Sequence, residues 1–224
     1  MASLTQAEEI LEALERAGWE AYLVGGCVRD MLLGRAAHDF DICTRALPEQ
    51  TARVFRDIPQ DDAGRRHGMV KLLLPQGDIE ITTFRREGGY TDGRHPGWVE
   101  FVPDVQTDLA RRDFTVNALM EDVLTGRGLD HFRGLRDLRR GVLRHVDDRT
   151  FPEDPLRVLR GAQFAARFGF TAAPETIALC RGIDLSALPP ERVEGELRKA
   201  LLQAERPSLF FETLRDMGQL SHWF

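Results

Sequence analysis

Two stretches of the chain carry closely spaced carboxylates. In HDFDICT, residues 38–44, Asp39 and Asp41 alternate with the apolar Phe40 and Ile42, so both carboxylates are predicted to lie on one face of a strand. Adjacent carboxylates repel each other unless a positive charge lies between them, and a divalent metal ion is the usual positive charge. The pattern therefore predicts a Mg²⁺ site, with a solvated acidic edge as the alternative.

A further carboxylate belongs to a second predicted strand. In DIEITTF, residues 78–84, the apolar Ile79 and Ile81 alternate with polar residues that include Glu80. If this strand lies beside that of Asp41, Glu80 completes a three-carboxylate cage. Two metal ions roughly 3.5–4 Å apart in such a cage activate an attacking hydroxyl and stabilise a leaving pyrophosphate.

A double glycine lies shortly before the first carboxylates. In LVGGCVRD, residues 23–30, an apolar strand leads into Gly25 and Gly26 and then into a segment that contains Arg29. The backbone N–H groups of such a turn can bind phosphate oxygens. The alternatives are an ordinary turn after a strand and, for Arg29, a salt bridge to Asp30.

The elements that must position these residues fall into two regions. Residues 1–140 begin with an amphipathic helix, for which Thr5 and Glu8 have capping-box spacing. Apolar runs bounded by turns then predict strands, in the stretches EAYLV, HDFDICT, MVKLLL, DIEITTF and WVEFV. Residues 141–224 become helical from about residue 154. We therefore expect an α+β head followed by an all-helical segment.

Composition narrows the protein class. No apolar run approaches the ~18 residues of a membrane span, so a membrane partner is not expected. The three cysteines, Cys27, Cys43 and Cys180, are scattered, which favours a reducing cytoplasm over a structural zinc site. The net charge of −6 does not indicate a nucleic-acid binder by itself, although 28 of the 30 basic residues are Arg. Either codon usage or recognition of phosphates and bases explains that excess.

Five motifs in a fixed order resemble those of one enzyme family. LVGGCVRDMLLGRAAHDFDICT is similar to the head-domain signature of the class II tRNA nucleotidyltransferases (CCA-adding enzymes) and bacterial poly(A) polymerases, and the others are DLARRDFTVNAL, LDHFRGLRDL, EDPLRVLRGAQFAARFGF and PERVEGEL. The resemblance runs from Tyr22 to about Leu202. It implies a polymerase-β-like head with a small mixed or antiparallel sheet, joined to a helical neck. The chain is expected to stop before the family's body and tail.

This resemblance implies an activity and a set of site residues. The activity is template-independent addition of C, A or both from CTP and ATP to the 3′ end of tRNA, with release of pyrophosphate and with Mg²⁺ as cofactor. Asp39 and Asp41 would hold the metal, and Glu80 would be the third catalytic carboxylate. The nucleotide would be bound by residues of the glycine turn, of RRDFT and of the neck, namely Gly25, Gly26, Arg29, Arg112, Asp113, Glu153, Asp154, Arg157 and Arg160.

The stretch EDPLR has both a structural and a functional interpretation. Asp154 followed by Pro155 is an ordinary helix start. In the family, Asp154 and Arg157 would instead read the base, because an acceptor and a donor complement the amino group and ring nitrogen of cytosine and adenine. Glu153 would orient this pair. Gln163 departs from the Arg that the family often has at its position.

Other functions remain open at the level of sequence. A poly(A) polymerase acting on other RNA 3′ ends is the alternative within the family, and a catalytically silent nucleotide- or RNA-binding module is the alternative outside it. The Gly-rich segment 86–98 is either the family's flexible loop for addition of the final A or a plain surface connection. The oligomeric state is not predicted.

Overall fold

The computed structural model describes residues 2–37, 39–89 and 96–224. The chain forms two compact units. The first unit consists of Met1–Glu87, Val99–Ala110 and Asn117–Phe132, and the second of Gly88–Trp98, Arg111–Val116 and Arg133–Phe224. The main division thus falls at residue 132, eight residues before the predicted boundary of the head at residue 140, and two earlier segments belong to the second unit.

The first unit is an α+β structure, as predicted. Its helices are α1 (Leu4–Arg16), α2 (Gly26–Leu32), α3 (Pro48–Val54) and α4 (Val105–Ala110). Its strands are β1 (Ala21–Val24), β2 (Asp41–Thr44), β3 (Gln60–Asp61), β4 (Met69–Leu72), β5 (Ile79–Thr83), β8 (Met120–Asp122) and β9 (Arg127–Leu129). Two further strands, β6 (Arg85–Gly88) and β7 (Trp98–Phe101), pair with each other in a separate two-stranded sheet. All five predicted strands are present.

The sheet is mixed and brings distant parts of the chain together. In the described residues its strand order is β3-β4-β5-β2-β1-β8-β9. The pair β2–β5 is parallel, whereas the other pairs are antiparallel. The buried Leu23, Ile42 and Ile81 come from three of the central strands and contribute to the core of the unit. The strands of HDFDICT and DIEITTF are therefore direct neighbours, as the carboxylate cage requires.

Helix α1 begins differently from the prediction. Its capping box is formed by Ser3 and Gln6, not by Thr5 and Glu8. The Gln6 N–H donates to Ser3 Oγ at 3.3 Å, and the Ser3 N–H donates to Gln6 Oε1 at 2.9 Å. Glutamine serves in this box as well as glutamate does, so the helix starts two residues earlier.

The second unit is mainly helical. Its elements are α5 (Gly134–Arg140), β10 (Val142–Leu143), α6 (Leu156–Phe168), β11 (Thr171–Ala172), α7 (Pro174–Cys180), α8 (Pro190–Gln203), α9 (Ser208–Asp216) and α10 (Leu220–Trp223). The buried ring of Phe114 packs edge-on against Phe151 and Phe164, with centroids 5.5 and 5.9 Å apart. This aromatic cluster explains why residues 111–116 belong to the helical unit and not to the head.

No helix among the described residues combines the length and the apolar character needed to cross a membrane.

Candidate functional site

The glycine turn joins β1 directly to α2. Gly25 has φ 82° and ψ −127°, a conformation that side-chain-bearing residues avoid. Its N–H donates to Leu119 O at 3.0 Å, which ties the turn to the chain just before β8. The predicted turn is thus present, and its shape requires glycine at residue 25.

We expect Gly25→Ala to destabilise the protein and Gly26→Ala to do so far less. Strain of about 1–3 kcal/mol at Gly25 lowers the melting temperature by several degrees in a chain of this size. A Cβ at Gly26 would meet only Arg29 Nη2, at 3.6 Å, which is an ordinary contact. Thermal unfolding of both variants measures the difference, and equal melting temperatures would contradict it.

Arg29 is almost completely buried beside this turn, at 5% exposure. Its Nε and Nη2 both lie 2.8 Å from Asp30 Oδ1, and its Nη1 donates to Asn117 Oδ1 at 2.6 Å. The structure thus contains the salt bridge that was the alternative to a phosphate contact. Asn117, which the sequence did not single out, links the turn to a segment 88 residues away along the chain.

The carboxylates lie on neighbouring strands. Asp41 is the first residue of β2 and is the register partner of Glu80 in the parallel strand β5. Asp39 precedes the strand; it is exposed, as is Asp41, whereas the residues Phe40 and Ile42 are buried. The alternation predicted from HDFDICT is therefore present, although only Asp41 belongs to the strand itself.

The three-carboxylate metal cage stays a prediction. Among the described residues, no group of three or more His, Cys, Asp or Glu side chains is arranged to hold a metal ion. Glu80 Oε1 lies 2.9 Å from Nζ of Lys71, its partner on β4, and this ammonium attracts the carboxylate. Carboxylate oxygens on adjacent strands are still the ligand class that Mg²⁺ takes, so Asp39, Asp41 and Glu80 fit that ion chemically.

In the second unit, the buried Asp113 forms an ion pair with the half-buried Arg160. Asp113 Oδ2 accepts hydrogen bonds from Nε and Nη2 of Arg160, at 2.8 and 2.7 Å, and Asp113 Oδ1 accepts one from the Phe114 N–H at 2.7 Å. The Arg160 guanidinium also lies over the Phe164 ring, 5.2 Å from its centroid. Both residues were predicted to bind the nucleotide, and in this structure each fixes the position of the other.

Arg160 is charged despite its surroundings. Burial alone would lower its pKa, but the carboxylates of Asp113, Glu196 and Asp154 outweigh burial and raise the pKa above its usual value. The helical unit thus holds a permanent cation among three acids.

Asp154 lies just before α6, after the 3₁₀ turn Phe151–Glu153. The helix starts at Leu156, one residue later than EDPLR predicts. Asp154 Oδ1 accepts a hydrogen bond from the Leu156 N–H at 3.1 Å, and its two oxygens lie 3.3 and 3.4 Å from the guanidinium of Arg192 on α8. Arg192, absent from the sequence prediction, holds the carboxylate in place from α8.

Arg157 is held by backbone carbonyls. Its Nη1 donates to Thr150 O at 2.7 Å and its Nη2 donates to Arg111 O at 2.6 Å, and the residue is only 7% exposed. The two predicted base-reading residues therefore have separate anchors in the same unit. Such anchoring fixes a side chain before any ligand binds, which is the property that specific recognition needs.

The other predicted residues are less sharply placed. Glu153 is exposed and Arg112 is half-buried. Gln163 is buried on α6, and its Nε2 has no hydrogen-bond partner within the described residues. Of the Gly-rich segment 86–98, residues 90–95 lie outside the described residues.

Comparison with known proteins places these features in a family. The family model of the poly A polymerase head domain matches residues 21–144. The CCA-adding enzyme of Leuconostoc mesenteroides subsp. mesenteroides is 42% identical over 214 residues, which are 94% of this chain and 53% of that protein. The chain thus spans about half the length of the curated relatives it matches.

Solved structures agree with the sequence comparison. The Bacillus stearothermophilus CCA-adding enzyme in complex with CTP is 36% identical, with a TM-score of 0.85 over 98% of this chain and 53% of the other. The Thermotoga maritima CCA-adding enzyme complexed with tRNA is 28% identical, with a TM-score of 0.79 over 98% and 52% of the two chains.

The family match covers more than half of the chain, and it includes the glycine turn, Asp39, Asp41 and Glu80. The structural matches extend over the helical unit that carries Asp154 and Arg157. The fold is accordingly a polymerase-β-like head followed by helices. The chain belongs to the tRNA nucleotidyltransferase and poly(A) polymerase family.

Proposed function

We propose that this chain is the catalytic part of a tRNA nucleotidyltransferase, which adds C, A or both from CTP and ATP to the 3′ end of tRNA and releases pyrophosphate. The observation that carries this proposal is the register Asp41–Glu80 in a sheet whose next strand, β1, ends at the glycine turn. The CCA-adding enzymes that the chain resembles have been solved with CTP and with tRNA, which supports the same substrates here.

In this proposal Mg²⁺ is held by Asp39 and Asp41, with Glu80 as the third carboxylate. The bound ion would supply positive charge for the attacking hydroxyl and for the leaving pyrophosphate. The other residues of the chain would hold the nucleotide in position. The buried Arg29 fixes the turn at Gly25 and Gly26, whose backbone faces the triphosphate in this proposal.

The second unit would choose the base. Cytosine and adenine each present an amino donor beside a ring-nitrogen acceptor, which the Asp154 carboxylate and the Arg157 guanidinium complement. Uracil and guanine present a carbonyl beside an N–H, so each contact would be mismatched. A buried polar group left unpaired costs roughly 1–3 kcal/mol, and two mismatches together would give strong rejection.

The remaining residues support that choice in the proposal. Glu153 orients the base-reading pair. Arg112, Asp113 and Arg160 bind the ribose and phosphates, and the Asp113–Arg160 ion pair gives them a fixed geometry. The three cysteines are buried and free, and burial raises the pKa of Cys27 to about 11, so Cys27 would act as no nucleophile at neutral pH. Free thiols favour the cytoplasm as the place of action.

A poly(A) polymerase is the second candidate, favoured by the matching family model, which describes a poly A polymerase head. Both reactions use the same catalytic carboxylates, so those residues cannot separate them. A silent binding module is less well supported, because the three carboxylates, Asp154 and Arg157 are all present.

One assay tests the proposal. The protein is incubated with tRNA that lacks its 3′ CCA, in separate reactions with CTP, ATP, both together, UTP and GTP. A matched non-tRNA oligonucleotide serves as the second acceptor. We expect one to three nucleotides to be added to tRNA, and neither UTP nor GTP to be used. Long A tracts on either acceptor would favour the poly(A) polymerase, and no product in any reaction would contradict both enzymes.

A further inference from the structure

Four charged residues lie in one row across four neighbouring strands. The register pairs Asp61 with Lys71, Lys71 with Glu80, and Glu80 with Asp41. Residues directly opposed in a sheet project from the same face. A single cation is therefore placed in line with three carboxylates, and it is adjacent to one of the predicted metal ligands.

The type of this cation is unusual for the chain. Only Lys71 and Lys199 are lysines, whereas the other 28 basic residues are Arg. A guanidinium binds a carboxylate through a two-pronged fork and covers both of its oxygens, while an ammonium is a compact point charge. Lys71 Nζ lies 2.9 Å from Oε1 of Glu80, a contact through one oxygen. A lysine can thus neutralise Glu80 without closing it to another ligand.

The electrostatic interactions of Lys71 connect its contact with Glu80 to cation binding. Asp41 and Glu80 repel each other, and the Lys71 ammonium offsets that repulsion and holds Glu80 in its place on β5. The same ammonium repels a divalent cation that approaches the pair. The ammonium therefore stabilises the position of Glu80. It also weakens the binding of a divalent cation when no nucleotide is present.

We propose that Lys71 is a positioning residue for the Asp41–Glu80 pair, and that its charge limits how tightly the pair binds a divalent cation in the absence of nucleotide. The pair then binds the ion well only when a triphosphate supplies further negative charge. The inference rests on the proposed function for the role of this pair, but it concerns the binding of a cation to the protein alone.

The test measures Mn²⁺ binding to the nucleotide-free protein by electron paramagnetic resonance of the free ion. Mn²⁺ takes the same oxygen ligands as Mg²⁺. We expect Lys71→Met to lower the Mn²⁺ dissociation constant about three- to tenfold, because a nearby unit of positive charge is removed. Lys71→Arg keeps the charge and covers both Glu80 oxygens, so its dissociation constant should not fall.

Two matched variants test whether the effect of Lys71 on Mn²⁺ binding depends on its contact with Glu80 or follows from the loss of any lysine. In a Glu80→Gln background, Lys71→Met should tighten binding by a smaller factor, because the contact that holds the ammonium beside the pair is already lost. Lys199→Met removes the other lysine, whose Nζ lies 2.8 Å from Glu196 Oε1 on α8, and should leave Mn²⁺ binding unchanged.

The outcomes distinguish this inference from the proposed function. An unchanged dissociation constant in Lys71→Met, or a lowered melting temperature as its only effect, would overturn the inference, as would a Lys71→Met protein that binds no Mn²⁺. Tighter binding in Lys71→Met, with a smaller gain in the Glu80→Gln background, would support it. If that pattern appears in a protein that transfers no nucleotide to tRNA, the proposed function alone fails.

Discussion

Asp41→Ala is expected to reduce nucleotide transfer from CTP and ATP alike by about a thousandfold or more, with little change in stability. Asp41 is exposed at the start of β2, so its side chain contributes little packing. Its carboxylate would hold the metal ion, and transfer from every nucleotide requires that ion. Asp39→Ala should have the same effect. Single-turnover transfer to tRNA and thermal unfolding measure the two quantities separately.

The sheet provides a control of the same residue type. Asp61 is also exposed and lies in the same charged row, but its strand is three strands away from that of Asp41, beyond Lys71. Asp61→Ala should therefore retain nearly all transfer. A folded Asp41→Ala protein with near-normal transfer would remove the metal-based mechanism. Equal losses in both variants would show that transfer depends on the total negative charge of the row and not on metal binding by Asp41.

Strands β4 and β5 of the first unit could be predicted because burial alternates along them. In β5 the buried Ile79 and Ile81 alternate with Glu80, and this two-residue period is visible in the sequence. Strands such as Gln60–Asp61 and Val142–Leu143 contain only two residues, too few for any period. Their pairing depends on backbone hydrogen bonds with distant segments, which leave no local signal.

The site could be predicted only in part, for a similar reason. Residue type and spacing identified the carboxylates and the glycine turn. The partners that hold them are remote in sequence: Asn117 for Arg29, Arg192 for Asp154 and Lys71 for Glu80. Lysine is rare in this chain, but that rarity indicates no role for Lys71 until the register of β4 and β5 places it beside Glu80.

Asp154→Asn is expected to relax the choice of nucleotide while the protein stays folded. Asn keeps an oxygen that can accept the Leu156 N–H, and it serves at a helix start about as well as Asp. Its amide can also donate, so a carbonyl on uracil or guanine is no longer mismatched. Removal of one mismatch of roughly 1–3 kcal/mol should reduce discrimination against UTP and GTP by about ten- to a hundredfold. The ratios of kcat/KM for the four triphosphates measure this change.

Asp184→Asn is the matched control for this change, because Asp184 Oδ1 accepts a backbone N–H two residues ahead, that of Ser186 at 2.9 Å, as Asp154 does with Leu156. It should leave nucleotide choice unchanged. Arg157→Ala is a poorer test, because it strips the carbonyls of Thr150 and Arg111 of a buried donor and so destabilises the unit. If the Asp154→Asn protein discriminates among the four nucleotides as the wild type does, Asp154 has only a structural role at the start of α6, where Arg192 holds it. The base is then read by other residues.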